Sequence, residues 1–352
     1  MAFDLLGAII SESTLFSIYG LLALSLNFQY GITGLPNFGL VLFYGIGAYA
    51  SGVISSTVIM WAFSANINNY CQPSADTLRT AAATGDPGLA LGATALGIMV
   101  AAILAGFFGF ILSYPAIRIQ EEWYLALVLL IAAEVVRTVV RNYFGFGGVC
   151  GTSGLAGIPS PFQWISNVTV QYAAFAFLVL ALLGIAYFYF QRALNSPYGR
   201  MLKSIRDDHV AAQSLGKNVR RARTQVMIIG SAFAGVAGAL ITFYSGAVSP
   251  DNFIPIVTFN VWVMIVLGGL GNNKGALLGA LLVTSLQKAL SILAITLPIS
   301  NAVLVLNYLV YVLEGIIFLL LLIYRPKGLI VEEPVRTPAD VVLKSEEVVP
   351  KS

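Results

Sequence analysis

The sequence predicts an all-α protein, a polytopic transmembrane helical bundle of about nine spans, within a range of about eight to ten. Three observations predict this class. Hydrophobic residues make up 58% of the 352 residues and charged residues only 10%, whereas a soluble domain carries about 25% charged residues. The apolar residues form blocks of about 20, which is long enough for a helix to cross a bilayer. The ionisable residues concentrate in one polar segment, 195–223.

The apolar segments give the order of the predicted spans. The first has no basic residues before it and only a weak cleavage site, so we expect it to be retained as a span. The second is long and rich in glycine and the seventh is short, so each is a candidate for a broken or re-entrant helix. Residues 1–330 are expected to form the membrane domain, and 331–352 a polar, flexible cytoplasmic tail. The predicted spans are Thr14–Tyr30, Phe38–Phe63, Gly88–Leu112, Trp123–Tyr143, Tyr172–Phe190, Thr224–Ser245, Ile254–Leu267, Ala276–Leu293 and Ala302–Tyr324.

Lysine and arginine residues in the short loops predict the orientation of the chain. With segment 195–223 in the cytoplasm, the external loops carry a single base, Arg79, while Arg137 and Arg141 near the outer end of the fourth span are exceptions. This asymmetry predicts an external N-terminus and a cytoplasmic C-terminus, and an even number of spans would move the N-terminus inside. The bases on the internal side are Arg118, Arg192, the seven of segment 195–223, Lys274, Arg325 and Lys327.

Both cysteines fall in loops that are predicted to be external. Cys71 lies in the loop Ser64–Pro87 and Cys150 in the loop Phe144–Gln171, on the side of the membrane where thiols are oxidised. Two interpretations follow, a disulfide that joins the two loops or two unrelated thiols, and spacing alone does not choose between them.

The polar segment 195–223 is predicted to form two short helices at the membrane surface. Asp207 or Asp208 is placed to cap the second helix, His209–Leu215, and Gly216 suits the left-handed residue that ends it. The alternative is an ordinary basic loop, which sets topology and attracts anionic lipid headgroups. An apolar stripe recurs at helical spacing through Tyr198, Met201, Leu202, Ile205, Ala212 and Leu215.

The pattern "AAQSLG", Ala211 to Gly216, resembles the Ala-Ala-x-x-x-Gly core of the cytoplasmic coupling loop in permease subunits of ABC importers. Longer stretches are similar to one family of these subunits, the membrane permeases of the high-affinity leucine/isoleucine/valine ABC importers. They are "YGIGAYASGVI", "GGVCGTSGLAGIP", "SPYGRMLKSIRDDHVAAQSLGKNV", "GAVSPDNF", "VLGGLGNNKGALLGA" and "YRPKGL", between about Gly31 and Leu329. Two departures stand out: Val210 replaces a frequent glutamate, and "GLPNFG" (Gly34 to Gly39) replaces a Ser-Leu-Gly-His type sequence.

The resemblance implies a function and a set of partners. It implies a permease subunit in a prokaryotic cytoplasmic (inner) membrane, which translocates branched-chain or other hydrophobic amino acids. The implied partners are a second permease subunit, two ATP-binding subunits that carry ATP and Mg²⁺, an extracytoplasmic binding protein and the lipid bilayer, without nucleic acid. Permeases for urea and short amides look similar and stay open as an alternative. The residues expected to form the coupling loop are Arg200, Ile205, Asp208, Ala211, Ala212, Leu215 and Gly216.

Charged and polar residues inside the spans are candidates for a role in transport. Glu134 and Arg137 lie three residues apart on one helical face, which allows either a structural ion pair or a role in gating. The candidate pathway residues are polar, and the alternative for each is a hydrogen bond between helices. They are Asn37, Ser51, Thr258 and Asn260.

Other chemistries lack the residues that they need. "GGLGNNKG", Gly268 to Gly275, is not a phosphate-binding loop, because a glycine follows its lysine where that motif requires Ser or Thr. No catalytic set is present, so we expect a transport subunit that binds no cofactor or metal, with ATP hydrolysis on a partner. A transporter driven by an ion gradient, the alternative from a different class, needs intramembrane ion ligands and usually inverted repeats. The spans contain few acids, and no convincing inverted repeat is visible.

Overall fold

The computed structural model describes residues 5–63, 71, 73–119, 121–143, 150–296, 302–325 and 328–332. Within these ranges the chain is helical, and its extended backbone pairs only at one bridge, between Leu155 and Val248. The predicted all-α class is confirmed. The helices are α1 (Leu5–Leu26), which continues as a π-helical turn (Asn27–Ile32), α2 (Leu40–Ala62), α3 (Pro73–Gly85), α4 (Pro87–Arg118), α5 (Glu122–Asn142), α6 (Val168–Asn195), α7 (Pro197–Asp207), α8 (His209–Ser214), α9 (Val219–Ser245), α10 (Pro255–Gly268), α11 (Asn273–Thr296) and α12 (Ala302–Tyr324).

Eight helices of the described part are long and apolar enough to cross a membrane, and they correspond to the first eight predicted spans. The ninth predicted span coincides with α12, which has 23 residues. The second span is one unbroken helix, α2, rather than a broken or re-entrant segment. The seventh membrane-crossing segment, Pro250–Gly268, joins a short 3₁₀ turn to the 14-residue α10 and, with 19 residues, is the shortest of the eight. The seventh span is therefore short, as its sequence predicts.

The core of the bundle is the packing of α2, α4 and α9 through small residues. A methyl group on Gly238 of α9 would lie 1.9 Å from the carbonyl oxygen of Tyr44 on α2. One on Gly47 of α2 would lie 2.1 Å from the carbonyl oxygen of Gly235. Lipid gives helices no hydrophobic drive to associate, so contacts this close supply the packing instead. These helices therefore form the scaffold that holds the more peripheral elements.

One end of the bundle is covered by a structure that we call the cap, made of α3 and the connection Cys150–Asn167. The sequence predicts no helix between the second and third spans, but α3 lies there. Its Arg79 is fully buried, pairs with Asp76, and donates hydrogen bonds to the carbonyl oxygens of Ala156 (2.6 Å) and Gly157 (3.2 Å). Cys71 and Cys150 form a disulfide, with Cα atoms 5.7 Å apart.

The opposite end, which we call the basic end, carries α7, α8 and the turn between α10 and α11. The carbonyl oxygens of Leu267 and Gly268, the last two residues of α10 before this turn, accept hydrogen bonds from the amides of Leu329 and Ile330. Residues 328–332 thus run back along the turn, and we call them the C-terminal strap. The predicted tail begins at 331, yet Val331 and Glu332 pack in this strap, and residues 333–352 lie outside the described residues.

Candidate functional site

Helix α7 is an amphipathic helix that lies against the basic end. Pro197 opens it, and the Ser196 hydroxyl accepts a hydrogen bond from the Gly199 amide at 3.3 Å, which satisfies one free donor of the first turn. Leu202 and Ile205 are buried, whereas Arg200 is exposed. Ile205 therefore anchors the helix to the bundle and does not face solution.

Helix α8 starts in a new direction, because Asp208 between the two helices has extended backbone (φ −156°, ψ 106°). Its carboxylate accepts hydrogen bonds from the amides of Val210 (2.8 Å) and Ala211 (3.0 Å). These two bonds favour the charged form and lower the pKa of Asp208. Asp208 is thus the predicted cap, and Gly216, with φ +77°, is the left-handed residue that follows the helix.

The change of direction at Asp208 breaks the predicted apolar stripe. Ala212 is buried against the bundle, whereas Leu215 is 79% exposed and Val210 61% exposed. Ala212 is therefore a packing residue, and the predicted coupling residues that face solution are Arg200, Asp208, Ala211, Leu215 and Gly216. We call Val210, Ala211 and Leu215, the apolar residues at the tip of the loop, the α8 knob.

The inner side of α7 is tied to two other elements by charged groups. The Arg206 guanidinium donates to the carbonyl oxygen of Gly31, at the end of the π-helical turn, and lies 2.9 Å from a carboxylate oxygen of Glu332. Lys203 Nζ lies 2.7 Å from the other oxygen of Glu332. The contacts of Glu332 connect α7 to the C-terminal strap, and the contact with Gly31 connects it to the first span.

A buried amide network extends these connections deeper into the basic end. Asn27 in the π-helical turn accepts a hydrogen bond from the Gly271 amide (2.9 Å) and donates one to Asn273 (3.0 Å). Asn273 in turn donates to Gln191 of α6 at 3.1 Å. Sequence reasoning missed this network, since the π-helical turn that aims Asn27 has no local sequence signal. The available signal is the amide of Asn27 in an apolar span, a position where a polar side chain usually bonds to a neighbouring helix.

Three of the four candidate pathway residues are buried, and their polar groups bond to protein. The Asn37 side chain donates to Gln29 (2.6 Å) and accepts from the Gly39 amide (2.9 Å). Ser51 donates to a carbonyl of its own helix, and the Thr258 hydroxyl accepts from the Val41 amide, which joins α10 to the start of α2. Asn260 is half-buried on α10. The structure brings Asn37 and Thr258 to the start of α2, whereas Ser51 lies about three turns further along the same helix.

The predicted charged pair is formed. Arg137 Nη2 lies 2.9 Å from Glu134 Oε2, and a second acid, Asp251, lies 3.7 Å from Arg137 Nη1. In the last span, Glu314 accepts a hydrogen bond of 2.7 Å from Gln287 of α11, so this acid also has a partner. Among the residues that the structure describes, no group of three or more His, Cys, Asp or Glu side chains is placed to hold a metal ion.

The eight long apolar helices and the core of small residues define the class of the described part of the chain: a multi-pass α-helical membrane protein. Residues 8–322 match the family model described as branched-chain amino acid transport system / permease component, and the chain belongs to this family. The resemblance seen in the sequence motifs is confirmed. The chain is a transmembrane permease component, not an enzyme.

Similar proteins come from both archaea and bacteria. A probable branched-chain amino acid transport permease protein LivM of Methanocaldococcus jannaschii is 32% identical, over 96% of each chain. The high-affinity branched-chain amino acid transport system permease protein LivM of Escherichia coli is 29% identical, over 90% of this chain and 69% of that protein. The corresponding LivH of Salmonella typhimurium is 28% identical, over 90% and 92%. No solved structure matches the chain.

Proposed function

We propose that this chain is the transmembrane subunit of an ATP-driven ABC importer for branched-chain and other hydrophobic amino acids. The observation that carries the ATP-driven part is the α8 knob: apolar side chains held in solution at the tip of a basic loop. An amphipathic helix that offers apolar residues in this way is suited to insert into a groove of another protein. The cargo is inferred from similarity to proteins that are named as branched-chain amino acid permeases.

Motion at the knob has a physical route into the spans. Leu202 and Ile205 seat α7 on the bundle, and Arg206 joins it to the end of the first span. Glu332 joins the same helix to the strap, which bonds to the turn between α10 and α11. A displacement of α7 by a bound motor is therefore transmitted to α1, α10 and α11 together.

The complete importer contains partners that supply what this chain lacks. Two ATP-binding subunits with ATP and Mg²⁺ grip this loop and the corresponding loop of a second permease subunit. An external binding protein delivers the amino acid at the cap end. The basic end then lies in the cytoplasm of a prokaryotic cell, the C-terminus with it, and the cap with its disulfide lies outside, where thiols are oxidised.

Reconstitution tests the proposal. The chain is placed in vesicles with the second permease and the ATP-binding subunits from its gene neighbourhood, and the binding protein is added or left out. Uptake of labelled leucine is then measured with ATP and no ion gradient. We expect uptake that requires the binding protein and stops with vanadate. Leucine uptake driven by an ion gradient in the absence of the ATP-binding subunits would overturn the proposal, and uptake of urea or acetamide instead of leucine would overturn its cargo.

The sidedness is tested separately. Gln213, exposed on α8, is replaced by cysteine and labelled in intact cells with a membrane-impermeant maleimide. We expect no labelling from outside and a crosslink from Gln213→Cys to an ATP-binding subunit. Labelling from outside would place the basic end on the wrong side for the motor.

A further inference from the structure

A cavity of about 390 Å³ lies between α2 and α5, and none of the roles assigned above uses it. Its size falls in the range of about 300–1,000 Å³ that is usual for small-molecule sites. Its walls are almost entirely apolar, with Val41, Ile46 and Val53 of α2 facing Val136 and Val140 of α5. Such walls suit an aliphatic group.

Two polar groups border this apolar space. Tyr49 lines the cavity, and its hydroxyl is buried without a hydrogen-bond partner in the structure. Its ring lies 6.1 Å from that of Phe253, which lines the cavity as well. A buried hydroxyl without a partner is costly, so a ligand that bonds to it gains that unmet interaction.

Arg137 is the second polar group, and it is held in place with part of its guanidinium free. Its Nε and Nη2 groups bond to Glu134. Its Nη1 lies 3.7 Å from Asp251, which is an ion-pair distance but too long for a hydrogen bond. Nη1 can therefore donate to a further anionic group. Arg141 also lies 3.6 Å from Asp251, so the cluster has two bases and two acids and is electrically balanced.

We infer that the α2–α5 cavity binds a zwitterionic amino acid with an aliphatic side chain. The Tyr49 hydroxyl and Arg137 Nη1 bind its carboxylate, Glu134 and Asp251 attract its ammonium group, and the valines and Ile46 surround its side chain. A balanced cluster suits a zwitterion, whereas an amino acid with a net charge adds an unpaired charge beside apolar walls. The inference rests on the proposed function, since this ligand is the cargo during its passage.

The ligand is tested with a reporter thiol. The chain contains two cysteines, Cys71 and Cys150, and they are joined in a disulfide, so Val53→Cys supplies a single free thiol inside the cavity. The rate of maleimide labelling is measured on the assembled importer in nanodiscs with added leucine, lysine or glutamate. We expect leucine to slow labelling, and lysine and glutamate to have no effect at the same concentration. Ala181→Cys, exposed on α6, is the matched control, which leucine leaves unchanged.

The polar groups are tested by adding Tyr49→Phe or Arg137→Gln to Val53→Cys. Each is expected to raise the leucine concentration that gives half-protection about tenfold, because each removes one bond to the carboxylate. Equal protection by all three amino acids, or half-protection unchanged in both double variants, would overturn the inference. Labelling that responds to lipid acyl-chain length and not to leucine would identify a lipid site and overturn it as well.

The same preparation separates this inference from the proposed function. ATP-driven leucine uptake is measured with the wild-type chain before any thiol experiment. Normal uptake without leucine protection at Val53→Cys would reject the cavity alone, whereas no ATP-driven uptake by the wild-type assembly would reject the proposed function.

Discussion

The two ends of this molecule are held together by different forces. At the cap end, a disulfide joins two segments that are 79 residues apart in the chain, and Arg79 is fully buried with its guanidinium bonded to backbone. At the basic end, the buried Leu202 and Ile205 seat α7 on the bundle, but its ties to the C-terminal strap are ion pairs of Lys203 and Arg206 with Glu332, whose side chains are 14–26% exposed. Covalent and buried contacts are expensive to break, whereas partly exposed ion pairs are each worth about 0–1 kcal/mol.

The difference matches the two proposed roles. A surface that receives a binding protein benefits from a fixed shape, and the disulfide and the buried Arg79 make the cap rigid. A loop that is moved by an ATP-driven motor must change its contacts in every cycle, and ties of low energy allow this. The comparison predicts that cap variants lower the stability of the chain and leave ATP hydrolysis coupled to uptake. Variants of the basic end are expected to weaken that coupling and to change the stability little.

The largest expected effect is at the disulfide. Cys150→Ser opens the link between α3 and the connection Cys150–Asn167, and we expect a loss of about 2–4 kcal/mol in the free energy of unfolding. Thermal unfolding in detergent measures it, with dithiothreitol on the wild-type chain as the matched control. If the variant and the reduced protein unfold at the wild-type temperature, the cap is not held by this bond.

The second effect concerns Arg79. Arg79→Lys keeps the charge but loses the hydrogen bonds to Ala156 and Gly157, and we expect about 1–3 kcal/mol of destabilisation, because these carbonyls lose a charged donor. The measurement is thermal unfolding combined with the ATP hydrolysis of the assembled importer. Arg200→Lys, at an exposed position of α7, serves as the control. If Arg79→Lys has normal stability, or if its ATP hydrolysis is no longer coupled to uptake, the proposed difference between the cap and the basic end is wrong.

At the basic end, Leu215 carries the largest expected effect on coupling. Leu215→Asp places a charge in the proposed motor contact, so we expect ATP-driven uptake to fall about 30-fold or more. Thermal stability should stay unchanged, because the side chain is 79% exposed in this chain. Gln213→Asp introduces the same charge two residues away on the exposed surface, and we expect it to lower ATP-driven uptake far less. Wild-type uptake by Leu215→Asp would show that the α8 knob is not the contact.

Sequence patterns predict the spans well and the ends of the bundle poorly, for physical reasons. A helix in lipid must satisfy its backbone internally, so an apolar run of sufficient length predicts its own structure. The positions of Leu215 and Ala212 depend instead on one extended residue, Asp208, which turns α8 away from the line of α7. The predicted apolar stripe from Tyr198 to Leu215 assumes that α7 and α8 share one helical axis, which they do not.

Contacts between residues that are far apart in the sequence are the second feature that sequence patterns do not predict. Arg206 contacts Gly31, which is 175 positions away in the sequence, and Glu332, which is 126 positions away. Tyr49 and Arg137 lie on different spans, yet both line one cavity. No local pattern records such pairs. The Glu134–Arg137 pair was predictable because both residues lie on one helix, three positions apart, where side chains meet.

The smallest expected effect is at the C-terminal strap. Glu332→Gln removes the charge that Lys203 and Arg206 share, so we expect the amides of Leu329 and Ile330, which bond to Leu267 and Gly268, to exchange hydrogen faster. Because these pairs are partly exposed, the change corresponds to about 1 kcal/mol or less, and raising the salt concentration should reproduce it in the wild-type chain. Hydrogen exchange of the strap peptide measures it, with Glu332→Asp as the control that keeps the charge. Exchange that is insensitive to both the variant and salt would mean that backbone bonds alone hold the strap, and that α7 moves independently of the turn between α10 and α11.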